Sequence, residues 1–378
     1  MKPSGIRKFF DVVNEMEGAI SLGVGEPDFV TPWHIREAGI YSLEKGRTHY
    51  SANAGLLELR QEICKYVGKF DLQYDPASEV TVTVGGSEGV DLAIRTVVGP
   101  GDEVLVPEPS FVCYNPCVAL AGGTPVPIVT RAENEFKLTR EDVEAKLTPR
   151  TKLLILSYPN NPTGAIMTRE DLEPIARLAV EHNFMVLSDE IYAELTYGGQ
   201  HVSIASLPGM RERTFVVNGF SKAFAMTGWR LGYLLADQAF MQQAAKIHQY
   251  AIMCSPSVSQ YAAVEAMKNG AEDVARMREE YDCRRKVIVD GFNRMGLACF
   301  DPRGAFYIFP SIRSTGLSSE QFCEELLKDQ KLAVVPGTAF GESGEGFIRV
   351  SYAYSIDQIN EAMERIGAFL RRRGLMMA

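Results

Sequence analysis

The segment richest in possible chemistry runs Asn218-Gly219-Phe220-Ser221-Lys222-Ala223-Phe224-Ala225-Met226-Thr227-Gly228-Trp229-Arg230-Leu231-Gly232. A lysine among glycine, small and aromatic residues is partly desolvated, which lowers its pKa and frees the amine to attack a carbonyl as a Schiff-base nucleophile. Farther along the same segment, Arg230 offers a planar cation suited to a dianionic phosphate. Gly85-Gly86-Ser87-Glu88-Gly89 precedes a helical pattern expected to start near Val90, so bare backbone and a helix N-terminus could meet an anion there. Tyr158-Pro159-Asn160-Asn161-Pro162-Thr163-Gly164 fixes its backbone with two prolines and presents the Asn161 amide, while Asp189-Glu190-Ile191-Tyr192 sets a carboxylate directly after an apolar run. Taken singly, each also reads as an ordinary turn, a solvated strand end or a surface lysine.

All four segments follow short apolar runs, and those runs set their positions. The runs are Val80 to Val84, Glu103 to Val106, Lys152 to Leu156, Phe184 to Leu187, Thr214 to Val217 and Gly232 to Leu235. They alternate with helix-length segments, which predicts an α/β fold with a largely parallel sheet covered by helices, and in such sheets ligands sit beyond the carboxyl ends of the strands. Thr124 to Val129, with Pro125 and Pro127, suits an edge position or a connection. After Ser257 the pattern turns to long helices through about Met295, then to the runs Ala305 to Phe309, Ala333 to Val335 and Phe347 to Ser351, and ends in a helix near Ile356 to Arg371. The expected division is a large domain over 46–275, a smaller α+β domain over 276–378, and an N-terminal segment, 1–45, that returns to pack with the smaller domain.

Composition narrows the partners. Lys plus Arg is 39 against 48 Asp plus Glu, a net charge of −9, which argues against a surface that neutralises nucleic-acid phosphates. Arg371 to Arg373 read as a helix end, where cations suit the dipole, and Met376 and Met377 as a frayed tail. Seven scattered cysteines, with Cys113 and Cys117 the only close pair, suggest neither a disulfide framework nor a zinc knuckle, so a reducing cytoplasm is expected. Met1 to Asp11 carries no apolar signal-like core, and no apolar run approaches the roughly 18 residues of a membrane span. The five histidines have neither metal spacing nor a triad partnership, and the glycine turns lack the G-x-G-x-x-G spacing of a dinucleotide fold.

A Schiff-base lysine, a phosphate cradle with an arginine, a carboxylate able to hold a pyridinium proton and a tyrosine close behind it together meet the needs of pyridoxal phosphate. On these motifs the chain resembles the class I aminotransferases of the fold-type I pyridoxal-phosphate enzymes, from about Gly5 to Arg371. The resemblance implies a large domain with a mostly parallel seven-stranded sheet plus a smaller α+β domain. It also implies Lys222 as the cofactor-linked lysine and proton shuttle, Asp189 at the pyridine nitrogen, and Tyr192 and Asn161 at the phenolic oxygen. Gly86, Ser87 and Glu88 backbone groups, with Arg230 and Ser221, would take the phosphate, and Phe111 would stack on the ring.

Phe347-Ile348-Arg349-Val350-Ser351 puts one charge inside an apolar strand, where a strong partner must justify its burial. The resemblance makes that partner the substrate α-carboxylate, with Gly25 close by and Asn161 and Phe111 also on the substrate side; a structural ion pair is the other reading. Gly304-Ala305-Phe306-Tyr307 and Pro336 to Phe340 are taken as scaffold. In Thr48-His49-Tyr50-Ser51 the matching family tyrosine reaches across a two-fold interface to the neighbour's phosphate, against the alternative of packing in its own subunit. The implied activity is exchange of the amino group of an L-amino acid, aspartate or aromatic, with a 2-oxo acid such as 2-oxoglutarate in a homodimer. A Cβ–S lyase of the same fold is the nearer rival. An idle regulator is disfavoured, because the chain is acidic and shows no helix-turn-helix before Gly5.

Overall fold

The computed structural model describes Met16 and residues 18–375; Met1 to Asp11, Met376 and Met377, for which the sequence raised expectations, lie outside the described residues. After the short strand β1 (Ile20–Ser21) come the seven strands of the main sheet: β2 (Val80–Thr83), β3 (Glu103–Glu108), β4 (Thr124–Val129), β5 (Thr151–Ser157), β6 (Met185–Asp189), β7 (Thr214–Gly219) and β8 (Gly232–Leu235). Their order is β2-β8-β7-β6-β5-β3-β4, parallel throughout except for β8, which runs antiparallel to both of its neighbours. The apolar, β-branched strands are buried on both faces, as a helix-covered parallel sheet requires. β4 is the mostly exposed edge, where Pro125 and Pro127 interrupt no second ladder.

A second group comprises β9 (Tyr307–Ile308), β10 (Leu332–Ala333), β11 (Val335–Pro336) and β12 (Ile348–Ser351). β11, β12 and β9 form an antiparallel sheet, and β1 pairs in parallel with β10, Ile20 opposite Leu332. The chain leaves β1, crosses the end of the main sheet, and enters the helix Trp33–Glu44, which lies on the helix Ser257–Asn269. The terminal helix Ile356–Arg372 starts at a capping box of Ser355 and Gln358. Its Ile359, Ala362, Ile366, Phe369 and Leu370 form one buried stripe at helical spacing.

The helix Ala271–Arg294 links two apolar cores and contains the expected 275/276 boundary. Its Val274 belongs to the core around β2 and β8, whereas Met277, Tyr281, Ile288 and Phe292 belong to the one around β9 and β12. Two elements depart from the sequence reading: the run Ala333 to Val335 divides between β10 and β11, which belong to different sheets, and the helix after β2 begins at Gly85, not near Val90. Glycine's poor helix propensity hides this start, yet the turn forms because Gly85 takes φ +77° and the Glu88 carboxylate accepts from the Val84 N–H.

Candidate active site

The carboxyl ends of β2, β5, β6 and β7 converge with β9 and β12 on a cavity of about 410 Å³. Lys222 follows β7 and donates from Nζ to the Gly25 carbonyl at 2.7 Å, with the Tyr192 and Phe306 rings each 5.8 Å away. Burial pulls its pKa down to about 8, opposed mainly by the Glu26 carboxylate. Asp189 ends β6; its carboxylate accepts from the Tyr114 hydroxyl at 2.8 Å and from the Ile191 N–H at 3.2 Å. Burial raises that carboxyl to about 6, against the hydrogen bond from Tyr114. Tyr114 is also 2.8 Å from Ser157 Oγ and, having one proton to donate, accepts from Ser157 while donating to the carboxylate.

Beside the ends of β6 and β7, Gly86 and Ser87 present the first turn of the helix Gly85–Val97 to the cavity. Arg230, at φ 51°, donates to the Thr227 carbonyl at 3.0 Å and lays its guanidinium over Gly85, where a Cβ would stand 2.7 Å from it. At Gly232 a Cβ would fall 2.7 Å from the Gly85 carbonyl carbon, so a bare strand is what lets β8 abut this turn. Glu88 does not line the cavity: its carboxylate holds Val84 and the buried His248, at 2.7 Å. Helical geometry turns the Glu88 side chain back toward β2, so the phosphate role expected of Glu88 rests on its backbone group in the first helical turn.

Arg349, on β12, is buried with its guanidinium 4.6 Å from the Tyr307 ring centre. It donates to Asn161 Oδ1 at 3.0 Å and to the Gly23 carbonyl, and its Nε has no partner. Among the described residues no carboxylate pairs with it, so the structural ion-pair reading finds no partner. Gly25, Phe111, Asn161, Tyr192 and Ser221 also line the cavity, whereas Tyr50 does not and stands 82 % exposed. Tyr114, Ser157, Glu26 and Thr227 are lining residues that sequence reasoning missed, and Tyr307, taken as scaffold, lines the cavity too. Tyr114 follows Phe111 by one turn, the sole hint that it shares the same face.

The raised Asp189 pKa has a consequence for the cofactor-free protein. A carboxyl that titrates at about 6 when folded and near 3.8 when unfolded contributes stability below pH 4 that is lost as pH rises to 6. Asp189→Asn removes this dependence. Urea unfolding of the cofactor-free proteins should therefore show the variant gaining roughly 2 kcal/mol on wild type between pH 4 and pH 7. Parallel pH profiles would contradict the burial argument.

The donor set fits pyridoxal phosphate. Bare N–H groups and Arg230 suit its phosphate, the buried Asp189 its ring nitrogen, Lys222 its carbonyl carbon, and the unpaired Nε of Arg349 a substrate carboxylate.

Residues 17–366 match the family model for aminotransferase class I and II. The chain is 57% identical over 373 residues to the putative aminotransferase YugH of Bacillus subtilis, covering 98% of this chain and 97% of that protein. It is 46% identical over 379 residues to an aspartate aminotransferase of Pyrococcus abyssi, covering 99% and 97%. The crystal structure of an aromatic aminotransferase from Pyrococcus horikoshii superposes with a TM-score of 0.93 at 45% identity, covering 98% of this chain and all of that one.

Proposed function

Because the chain belongs to the aminotransferase class I and II family, with the fold-type I architecture and pyridoxal phosphate as cofactor, we propose that the cavity around Lys222 is its transamination centre. Pyridoxal phosphate supplies an electrophilic carbonyl carbon and a ring that withdraws electrons while its nitrogen stays protonated. Lys222 Nζ would hold the cofactor at its carbonyl carbon and would shuttle the substrate Cα proton, with the Gly25 carbonyl aiming the amine. Asp189, oriented by Tyr114, holds the proton at the ring nitrogen. Tyr192 and Asn161 serve the phenolic oxygen, Phe111 the ring face, and Gly86, Ser87, Ser221 and Arg230 the phosphate.

The observation that carries the reading is Arg349: a buried cation with no carboxylate partner among the described residues and an unused Nε, on the same cavity as Lys222. A substrate α-carboxylate completes it. Arg349→Ala should raise KM about 100-fold or more for any α-carboxylate donor. Unchanged kinetics would move the carboxylate site elsewhere.

For substrates we favour aspartate or an aromatic amino acid with 2-oxoglutarate. Relatives of both kinds stand at nearly equal identity, and the lining offers aromatic surface from Phe111 and Tyr307. Family and relatives favour amino transfer over Cβ–S cleavage. Assaying transfer to 2-oxoglutarate beside release of pyruvate and ammonia tests this directly; release without transfer would make the enzyme a lyase. We also assign a homodimer with shared sites and a cytoplasmic home, the latter because all seven cysteines are free thiols. Among the described residues, no helix is long and apolar enough to cross a membrane.

A further inference from the structure

Tyr307 sits where three parts of the site meet. Its hydroxyl is 2.8 Å from the Tyr192 hydroxyl, and its ring lies under the Arg349 guanidinium. A Cβ on Gly25 would fall 2.5 Å from the same hydroxyl, and Gly25 is the residue whose carbonyl holds Lys222 Nζ. Tyr192 follows β6 of the main sheet, whereas Tyr307 belongs to β9 of the small sheet, so this pair of hydroxyls joins the two. Both rings are buried, and Tyr192 is the hydrogen-bond partner of the Tyr307 hydroxyl among the described residues. Packing alone would be met by phenylalanine, as at the neighbouring Phe306 and Phe309; a buried hydroxyl implies a polar task.

We propose that Tyr307 is a positioning residue that donates its proton to Tyr192 and thereby commits the Tyr192 proton to the cofactor's phenolic oxygen. The inference rests on the role given to Tyr192 above. Two hydroxyls in contact share one hydrogen between them. If Tyr192 gives its own proton to an anionic ring oxygen, the proton between the tyrosines must come from Tyr307. A chain of two donors polarises along its length and strengthens the terminal bond. The Arg349 cation over the Tyr307 ring makes that phenol the better donor.

The readout is the pH midpoint at which the visible band of the cofactor-loaded enzyme changes. Donation to the phenolic oxygen favours its anionic form, so weakening the chain moves the midpoint upward. Tyr307→Phe should raise it by roughly 0.5 unit, and Tyr192→Phe by more. The double variant should match Tyr192→Phe alone, because Tyr307 acts only through Tyr192. Should Tyr307→Phe not yield loaded enzyme, Gly25→Ala displaces the same hydroxyl and should shift the midpoint in the same direction. A Tyr192→Phe shift with neither Tyr307→Phe nor Gly25→Ala moving the midpoint, or single shifts that simply add, overturns the inference and leaves the functional reading intact. No shift in Tyr192→Phe itself overturns the assignment of Tyr192, and this inference with it.

Discussion

Lys222→Ala is expected to lose amino transfer by about 10⁴-fold or more, because nucleophile and proton shuttle vanish together. The chemistry depends on how the lysine is held. With its pKa near 8, about half the amine is neutral at pH 8, whereas an ordinary lysine near 10.4 offers roughly one neutral molecule in 250. Burial lowers the pKa, and the bond to the Gly25 carbonyl keeps the amine aimed. The phosphate cradle does not involve that amine, so Gly86, Ser87 and Arg230 should retain cofactor in the variant by noncovalent contacts. Two measurements separate these contributions: steady-state transfer to 2-oxoglutarate, and mass spectrometry after borohydride reduction. Wild type should carry the cofactor covalently on Lys222, and the variant should carry none. A variant with near-normal turnover would remove Lys222 from the mechanism.

What the sequence made legible follows from strand ends. Lys222, Asp189, Asn161 and Gly86 all follow apolar runs, and in a parallel sheet such residues share one rim whatever their separation in the chain. Arg349 was readable for another reason: a lone charge in an apolar strand demands a partner. Tyr114 was not readable. It sits in a short helix beyond β3, and its link to Asp189 spans 75 residues, which local pattern cannot register. Tyr307 escaped because nothing local tells a tyrosine filling space from one whose hydroxyl is spoken for; only the meeting of β9 with the residues after β6 does. The early helix start at Gly85 was masked by the glycines that make the turn useful to an anion.

Tyr50 carries the other large expected effect, and its surroundings motivate it. The loop bearing it is anchored: Ser257 Oγ donates to the His49 carbonyl, and Asn53 Nδ2 to the Met253 carbonyl. Yet Tyr50 projects outward at 82 % exposure, and Tyr250, in the helix leading to Met253, at 88 %. A fixed loop presenting a large ring to solvent suits an interface better than a free surface. If the hydroxyl enters the neighbour's phosphate site, each working centre takes Lys222 from one chain and Tyr50 from the other, and a symmetric dimer is obligatory. Two damaged proteins can then repair each other. Tyr50→Asp places a carboxylate where a phosphate should bind, and Lys222→Ala removes the amine, so both homodimers should be impaired. In a mixed dimer one centre collects both lesions and the other collects neither. Co-refolding equal amounts with random pairing makes half the dimers mixed, each with one intact centre of two, so activity should return to about a quarter of wild type. The effect would be a rise above both parents, which tighter binding or altered stability in either protein alone cannot produce. Mixed dimers verified by differently tagged chains yet still inactive would return Tyr50 to its own subunit.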